Sequence, residues 1–180
     1  MSKSRPAAAT PRRSQADAPQ TGGQPIIRVA RAGDASLIAR FNREMALETE
    51  GRKLVPQRVQ RGVKALLADA TKGTYFVAEL DGQVIGQTLI TYEWSDWRNG
   101  NFWWIQSVYV TPAHRGKGVF KALHQHIHQL ARRRKEVCGL RLYVEAHNSM
   151  AKEVYARLGL QATAYELWET DFNSPTAHPG

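Results

Sequence analysis

One stretch of the chain decides its fold: Val108-Tyr109-Val110-Thr111-Pro112-Ala113-His114-Arg115-Gly116-Lys117-Gly118-Val119-Phe120-Lys121-Ala122-Leu123. A strand-like apolar run ends at Pro112, a turn rich in glycine and cations follows, and a helical pattern begins directly after it. The start of a helix carries backbone N–H groups without partners and the positive end of the helix dipole. Glycines let a ligand approach this backbone, and Arg115, Lys117 and Lys121 add positive charge. The stretch therefore predicts a strand, a turn and a helix that bind a phosphate-bearing ligand.

The composition is that of one globular domain. The chain has 180 residues, of which 42% are hydrophobic and 23% are charged, and this size and mixture support a single core. Its one cysteine, Cys138, cannot form an intrachain disulfide and favours a reducing, cytoplasmic setting. No apolar run is long enough to span a bilayer, and no apolar segment near the start resembles a secretory signal. We therefore expect no membrane partner.

The net charge is strongly positive. The chain has 25 lysines and arginines against 16 acidic residues, a net charge of +9, which attracts anions such as nucleic acid, acidic lipid or a phosphorylated small molecule. Part of this surplus lies in a polar N-terminal segment that holds Lys3, Arg5, Arg12 and Arg13 against Asp17. Such a segment buries too little apolar surface to order itself. We predict a disordered basic tail over residues 1–24, a folded domain over residues 25–173 and a short C-terminal tail over residues 174–180.

Periodicity and turn chemistry predict the remaining elements. Two amphipathic helices follow the first strand, with Pro56 in the first turn of the second, and a short helix covers Ser149–Leu158. Asp81-Gly82 is typical of a two-residue hairpin turn. Strands are predicted at Ile26–Ala30, Tyr75–Leu80, Val84–Tyr92, Phe102–Val110, Leu140–Val144 and Tyr165–Glu169. This order predicts an α/β (α+β) fold with a mixed, mostly antiparallel, twisted sheet of six to seven strands and about four helices, including a parallel crossover from Val110 to Leu140.

Two patches in this order resemble the GCN5-related N-acetyltransferase (GNAT) superfamily over roughly Ile26 to Phe172. The first is Arg115-Gly116-Lys117-Gly118-Val119-Phe120, where the family has Arg or Gln, two residues, Gly, one residue, and Gly or Ala. Phe120 departs from that pattern at its last position, although every backbone N–H is kept. The second patch places Asn148, Ala151, Tyr155 and Gly159 at the family's spacing. Together, and after the expected strands, the two patches make the resemblance specific.

The resemblance implies an acetyl-CoA-dependent N-acetyltransferase that needs no metal. Backbone N–H groups from Gly116 to Lys121 would hold the pyrophosphate, and the pantetheine arm would pair with the strand that ends at Val110. Tyr155 matches the position that often protonates the leaving thiolate, although a tyrosine on a short helix is also often a core residue. The cofactor contacts implied are Val108, Tyr109, Val110, Arg115, Gly116, Lys117, Gly118, Val119, Phe120, Lys121, Asn148 and Tyr155.

The acceptor site is less defined by the sequence. The segment from Glu93 to Trp104 holds four of the five tryptophans, which predicts an aromatic and acidic lining for an amine. Packing at a hairpin tip and a dimer contact are the alternatives. Substrate contacts are expected from Glu48, Trp94, Asp96, Trp97 and Trp104. The general base is left open between Glu93, Asp96 and Gln106, the last through a bound water.

Several alternatives follow from the same residues. His124 and His128 are four apart on a helix, a spacing that can share a metal, but no third ligand is suggested and a solvated or partly packed helix face is favoured. The glycine turn is also compatible with a solvated loop. The main prediction is acetyl transfer to a primary amine of a small molecule or peptide by a monomer or homodimer. The alternatives are a non-catalytic acyl-CoA sensor and a basic RNA or polyanion-binding module, and the lack of spaced aromatics on basic strands disfavours nucleic acid.

Overall fold

Helices pack on both faces of a five-stranded sheet with the order β1-β2-β3-β4-β5. The structure is a computed structural model that describes residues 23–172. The elements are β1 (Ile26–Val29), α1 (Ala35–Glu50), α2 (Pro56–Leu67), β2 (Thr74–Leu80), β3 (Gln83–Ser95), β4 (Gly100–Val110), α3 (Val119–Arg132), β5 (Val137–Leu142) and α4 (Ser149–Arg157). All but the last two positions of the predicted N-terminal tail, and all of the predicted C-terminal tail, lie outside the described residues.

The topology confirms the mixed sheet that the sequence predicts. Strands β1 to β4 pair antiparallel in chain order, and β4 pairs parallel with β5 after the crossover through α3. The Asp81-Gly82 turn joins β2 to β3 with φ values of 50° and 74°, as expected for a two-residue hairpin. None of the helices within residues 23–172 has the length and apolar character to cross a bilayer.

The predicted count of six to seven strands is wrong for the described residues, which form five. The segment Tyr165–Glu169 is not a strand, and Tyr165, Leu167 and Trp168 are exposed. Its residues favour extended backbone, but Leu167 and Trp168 are adjacent and therefore cannot share one face of a strand. A strand also needs a neighbouring strand for its backbone hydrogen bonds, and this segment joins no ladder.

Strand ends also differ from the prediction. The predicted strands end at Tyr92 and begin again at Phe102, whereas β3 and β4 stay paired as far as Ser95 and Gly100. The short 3-10 turn Asp96–Arg98 and Asn99 separate the two strands. Strand β5 begins three residues earlier than expected and ends at Leu142, since its limits follow its pairing with β4.

The two faces of the sheet carry separate apolar clusters. On one face α3 contributes Leu123 and Ile127, both fully buried, against residues such as Ile105 of β4. On the other face α1 and α2 cover β2 and part of β3, with Ile38 and Val63 among the buried residues. The second face is therefore left accessible over the later part of β3, the first part of β4 and β5.

Candidate active site

The site begins where β4 and β5 stop pairing. Their register runs from Asn101 opposite Val137 to Ile105 opposite Leu142, and beyond it β4 pairs only with β3 among the described strands. The Thr111 N–H donates to the Ile85 carbonyl at 2.9 Å. By the alternation of an antiparallel ladder, the N–H and C=O of the preceding residue, Val110, therefore point away from β3 into the gap. The same alternation directs the polar groups of Val108 there, where an extended ligand rich in amides can pair.

A β-bulge at Ser107 shapes this part of β4. The register with β3 shifts between Gln87 and Leu89, and Ser107 has a φ of 48°, a conformation that costs a non-glycine residue about 1–2 kcal/mol. Two buried polar side chains hold the bulge. Gln87 Nε2 donates to the Ser107 carbonyl at 3.4 Å, and Thr88 Oγ1 donates to the Gln106 carbonyl at 3.1 Å. Neither residue is among those predicted from the sequence, although two adjacent polar residues inside an apolar strand are the available signal.

The turn after β4 leaves backbone donors free at the start of α3. Gly116 and Gly118 have φ values of 72° and 81°, in the left-handed region that favours glycine. Gly118 is the N-cap of α3 and supplies no side-chain cap. The helix ladder starts with the Ala122 N–H, which donates to the Gly118 carbonyl at 3.0 Å. The N–H groups of the first helical turn therefore have no intrahelical partner and are available to an anion.

Charged side chains link this turn to α1. Arg115 Nη2 forms an ion pair with Glu48 Oε2 at 2.6 Å, and Arg115 Nε donates to the Val110 carbonyl at 2.9 Å. The Tyr109 hydroxyl donates to Glu44 Oε2 at 2.9 Å. Burial and the adjacent Glu44 carboxylate raise the pKa of Tyr109 to about 12. Glu48, expected at the acceptor, and Arg115, expected at the cofactor, thus contact each other.

Helix α4 brings the second sequence patch to the site. Asn148 caps this helix, because its Oδ1 accepts from the Ala151 N–H at 3.0 Å, which leaves its side-chain NH₂ to donate. Tyr155 is half-buried, and its ring packs edge-on against Phe120 with centroids 5.7 Å apart. Phe120, the departure from the family pattern, therefore connects the start of α3 to α4. Burial raises the pKa of Tyr155, so the phenol stays protonated at neutral pH.

A polar and aromatic cluster lies on the accessible face of the sheet. Glu93 Oε1 accepts from Arg141 Nη1 at 2.7 Å, and its other oxygen accepts from the Trp104 indole N–H. The Trp104 ring stacks on Tyr143 with centroids 4.3 Å apart. The structure thus brings Glu93 and Trp104 together as expected and adds Arg141 and Tyr143, which the sequence analysis missed. The available signal in the sequence is alternation, since Leu140 and Leu142 of β5 alternate with Arg141 and with Tyr143, which follows the strand.

Gln106 lies further along the same strand. Its Nε2 donates to Thr91 Oγ1 at 2.6 Å, which leaves its Oε1 to accept a further hydrogen bond. Gln106 immediately follows the last residue of β4 that pairs with β5. It is therefore the candidate base residue nearest, along the strand, to the gap.

The hairpin tip is apart from this cluster. Trp94 and Trp97 are 60% and 85% exposed, and Asp96 Oδ1 accepts from the Trp97 N–H at 2.9 Å. Trp94 pairs with Asn101 at the opposite end of β4 from Gln106. The structure does not bring these three residues to the gap between β4 and β5, and their contact with an acceptor stays a prediction.

The two histidines of the predicted pair on α3 differ in burial, because His128 is exposed. His124 is buried, its ring stacks on His128 with centroids 6.1 Å apart, and burial, followed by the nearby His128, lowers its pKa. Within residues 23–172 no group of three or more His, Cys, Asp or Glu side chains is arranged to hold a metal ion. With His124 buried and His128 exposed, the pair lies at the edge of the packed face of α3.

Comparison with known proteins identifies the class that this fold and site define. The acetyltransferase (GNAT) family model matches residues 40–160. Thialysine N-epsilon-acetyltransferase from Bos taurus is 33% identical over 156 residues, which cover 79% of this chain and 88% of that protein. The chain therefore belongs to the acetyltransferase (GNAT) family, as the two sequence patches indicate.

Solved structures agree with this assignment. A possible acetyltransferase from Clostridium difficile 630 shares 44% identity with a TM-score of 0.78, over 83% of this chain and 98% of that one. A predicted acetyltransferase with acetyl-CoA from Clostridium acetobutylicum shares 20% identity with a TM-score of 0.67, over 81% of this chain and 96% of that one. The second likeness shows the fold alone.

Proposed function

We propose that the protein is an N-acetyltransferase that moves an acetyl group from acetyl-CoA to a primary amine of a small molecule or peptide. One observation carries the proposal. The N–H groups at the start of α3 have no intrahelical partner, and only the glycine turn separates them from the part of β4 that does not pair with β5. Family membership and the names of its relatives support the same reaction. Membership of the acetyltransferase (GNAT) family supports acetyl-CoA as the acyl donor.

The donor set of the turn fits a diphosphate. The N–H groups from Gly116 to Lys121 would bind its oxygens, with the helix dipole and the exposed Lys117 and Lys121 adding positive potential. The backbone of β4 beyond its last pair with β5 would pair with the amides of the pantetheine arm. The side-chain NH₂ of Asn148 would donate to the same arm. Bound in this way, acetyl-CoA supplies an acetyl thioester at the gap.

The chemistry is direct transfer. The amine nitrogen attacks the thioester carbonyl carbon, so a C–N bond forms, the C–S bond breaks and the sulfur leaves as a thiolate. Tyr155, kept protonated by burial, would give its proton to that sulfur. The amine loses its proton to a water ordered by Gln106 Oε1 or to Glu93, the carboxylate on the same face. Holding both reactants in the gap supplies much of the rate enhancement.

The exposed C-terminal segment supports a homodimer. Tyr165, Leu167, Trp168 and Phe172 are 80%, 66%, 87% and 92% exposed, more apolar surface than a short segment normally leaves in water. Among the described strands β5 is at the edge of the sheet, and a segment from a second copy would pair with it.

We place the protein in the cytoplasm because its single cysteine suits a reducing compartment.

A thioester-release assay tests the proposed activity. The full chain is mixed with acetyl-CoA and a panel of primary amines, and free thiol is measured with and without each amine. Amine-dependent release supports the transferase. Binding of acetyl-CoA in calorimetry without release for any amine would favour a sensor, and no binding heat at all would favour a polyanion-binding module.

A further inference from the structure

Arg141 places a cation on the face of the sheet that is proposed to receive an amine. Its guanidinium carbon lies 3.7 Å from the Phe102 ring centroid and 5.7 Å from that of Trp104, and its side chain is 31% exposed. A site that only had to bind ammonium groups would not gain from a cation here, since like charges repel. Arg141 already forms an ion pair with Glu93, so an anionic acceptor group would bind the guanidinium donors that this pair leaves unused.

The hydrogen bonds of the cluster leave donors on Arg141 unused. Glu93 already accepts from Arg141 and from the Trp104 indole, so its negative charge is balanced within the cluster. A guanidinium has five N–H donors, and within residues 23–172 the hydrogen bonds of Arg141 engage only Nη1. Stacking on Phe102 fixes the plane of the group, and the remaining donors form the fork that binds a carboxylate in two-point fashion.

The spacing along the sheet suits a short amino-acid side chain. Arg141 lies opposite Trp104 in the register of β4 and β5, and Gln106 follows two residues later. Two residues of strand span about 7 Å, close to the reach of a four-atom chain between an amine and the carbon that carries a carboxylate. The Trp104–Tyr143 stack borders this interval, and Tyr143 is 51% exposed, so methylene groups have an aromatic surface to pack on.

We propose, on the basis of the proposed N-acetyltransferase function, that Arg141 binds the carboxylate of the acceptor and so selects amino acids with a terminal side-chain amine over simple diamines. The carboxylate contacts the free edge of the guanidinium while Glu93 keeps the opposite edge in place. The side chain of the acceptor then runs along Trp104 and Tyr143 towards Gln106. Its terminal nitrogen reaches the gap where the thioester is expected.

A matched pair of acceptors tests this inference. L-Lysine and cadaverine differ only by the carboxylate, so kcat/KM is measured for both with the full chain. Lysine is expected to be the better acceptor of the native chain. Arg141→Gln should lower kcat/KM for lysine about 10- to 100-fold, mainly through KM, because a hydrogen-bonded ion pair is lost. The loss for cadaverine should be several-fold smaller, because cadaverine has no carboxylate and shares only the loss of the Arg141–Glu93 ion pair.

Two further variants serve as controls. Arg134 lies over the ring of Trp103 at 5.7 Å and pairs with Glu136, so Arg134→Gln removes a stacked arginine outside the cluster and should leave both acceptors unchanged. Arg141→Lys keeps the charge but loses the planar fork, and it should recover only part of the lysine activity.

The outcomes separate the two proposals. Cadaverine equal to or better than lysine with the native chain overturns the carboxylate assignment but leaves the transferase in place. Equal losses for both acceptors in Arg141→Gln, with acetyl-CoA binding retained in calorimetry, would show a structural role and also overturn it. Acetylation of no amine by the native chain overturns the proposed function, and this inference with it.

Discussion

Replacing Gly118 by alanine in the glycine turn before α3 tests whether steric space or backbone conformation determines the stability of this turn. A Cβ at Gly118 would meet no heavy atom within 4 Å, so alanine fits without a clash. The φ of 81° nevertheless costs an L residue about 1–2 kcal/mol. In a domain of this size 1 kcal/mol corresponds to about 2–4 °C, so Gly118→Ala should lower the melting temperature by about 2–8 °C. Differential scanning calorimetry of the full chain measures this change.

A second glycine provides the matched control. Gly62 lies inside α2, where a Cβ would also meet nothing within 4 Å, but its backbone is helical. Alanine there should raise the stability by about 0.5–1 kcal/mol, because glycine loses more conformational freedom in a helix. The same substitution is therefore expected to have opposite signs at the two sites. Destabilisation by Gly62→Ala as large as that by Gly118→Ala would contradict the conformational argument.

The consequence for ligand binding is measured by titrating acetyl-CoA in a calorimeter. Gly118→Glu puts a negative charge among the N–H groups that are proposed to hold the diphosphate. Hydrogen bonds to a charged group contribute about 1.5–3 kcal/mol each, so losing two of them weakens affinity about 10²- to 10⁴-fold. Gly62→Ala should bind like the native chain. Native affinity in a folded Gly118→Glu variant would refute the turn as the diphosphate site.

Three further predictions concern other parts of the molecule. Tyr155→Phe should lower kcat about 10²- to 10⁴-fold with acetyl-CoA affinity unchanged, and undiminished turnover would remove its role as the acid. Burial lowers the pKa of His124 below its ordinary 6.5, so the native state binds fewer protons than the unfolded state, and stability should fall as the pH drops below about 6.5. His124→Leu should reduce this fall in melting temperature at acid pH. If the melting temperatures of the variant and the native chain fall in parallel, His124 is not the cause. Trp168→Glu should shift the mass in light scattering from dimer to monomer, with Trp97→Glu as an exposed control, and if only Trp97→Glu breaks the dimer the hairpin tip is the contact.

Local chemistry explains what the sequence could predict. The strand, turn and helix around Gly116 and Gly118 follow from residues that are adjacent in the chain, and so does the Asp81-Gly82 hairpin. The spacing from Asn148 to Tyr155 likewise needs only one helix. The prediction of Tyr165–Glu169 as a strand is wrong because side-chain preference does not supply the neighbouring strand on which a ladder depends.

Contacts between distant parts of the chain explain the rest. Arg141 is far in sequence from Glu93, and only the parallel register of β4 and β5 brings the two side chains within hydrogen-bond distance. Gln87 supports the bulge at Ser107 across a hairpin, which a polar residue in a strand cannot reveal by itself. The predicted ends of β5 also differ from the observed ones, because pairing with β4, rather than composition, determines where the strand begins and ends.

The division of the sheet into two faces affects how such a protein can diversify. Leu140 and Leu142 pack against the apolar cluster that includes Leu123 and Ile127 of α3, whereas Arg141 between them belongs to the opposite, accessible face. On the proposed acceptor assignment, a substitution at Arg141 or Tyr143 would change acceptor preference without altering the residues that are proposed to bind the acyl donor. Acceptor preference can therefore drift, or be engineered, by exchanging a few accessible side chains on a scaffold that stays otherwise intact.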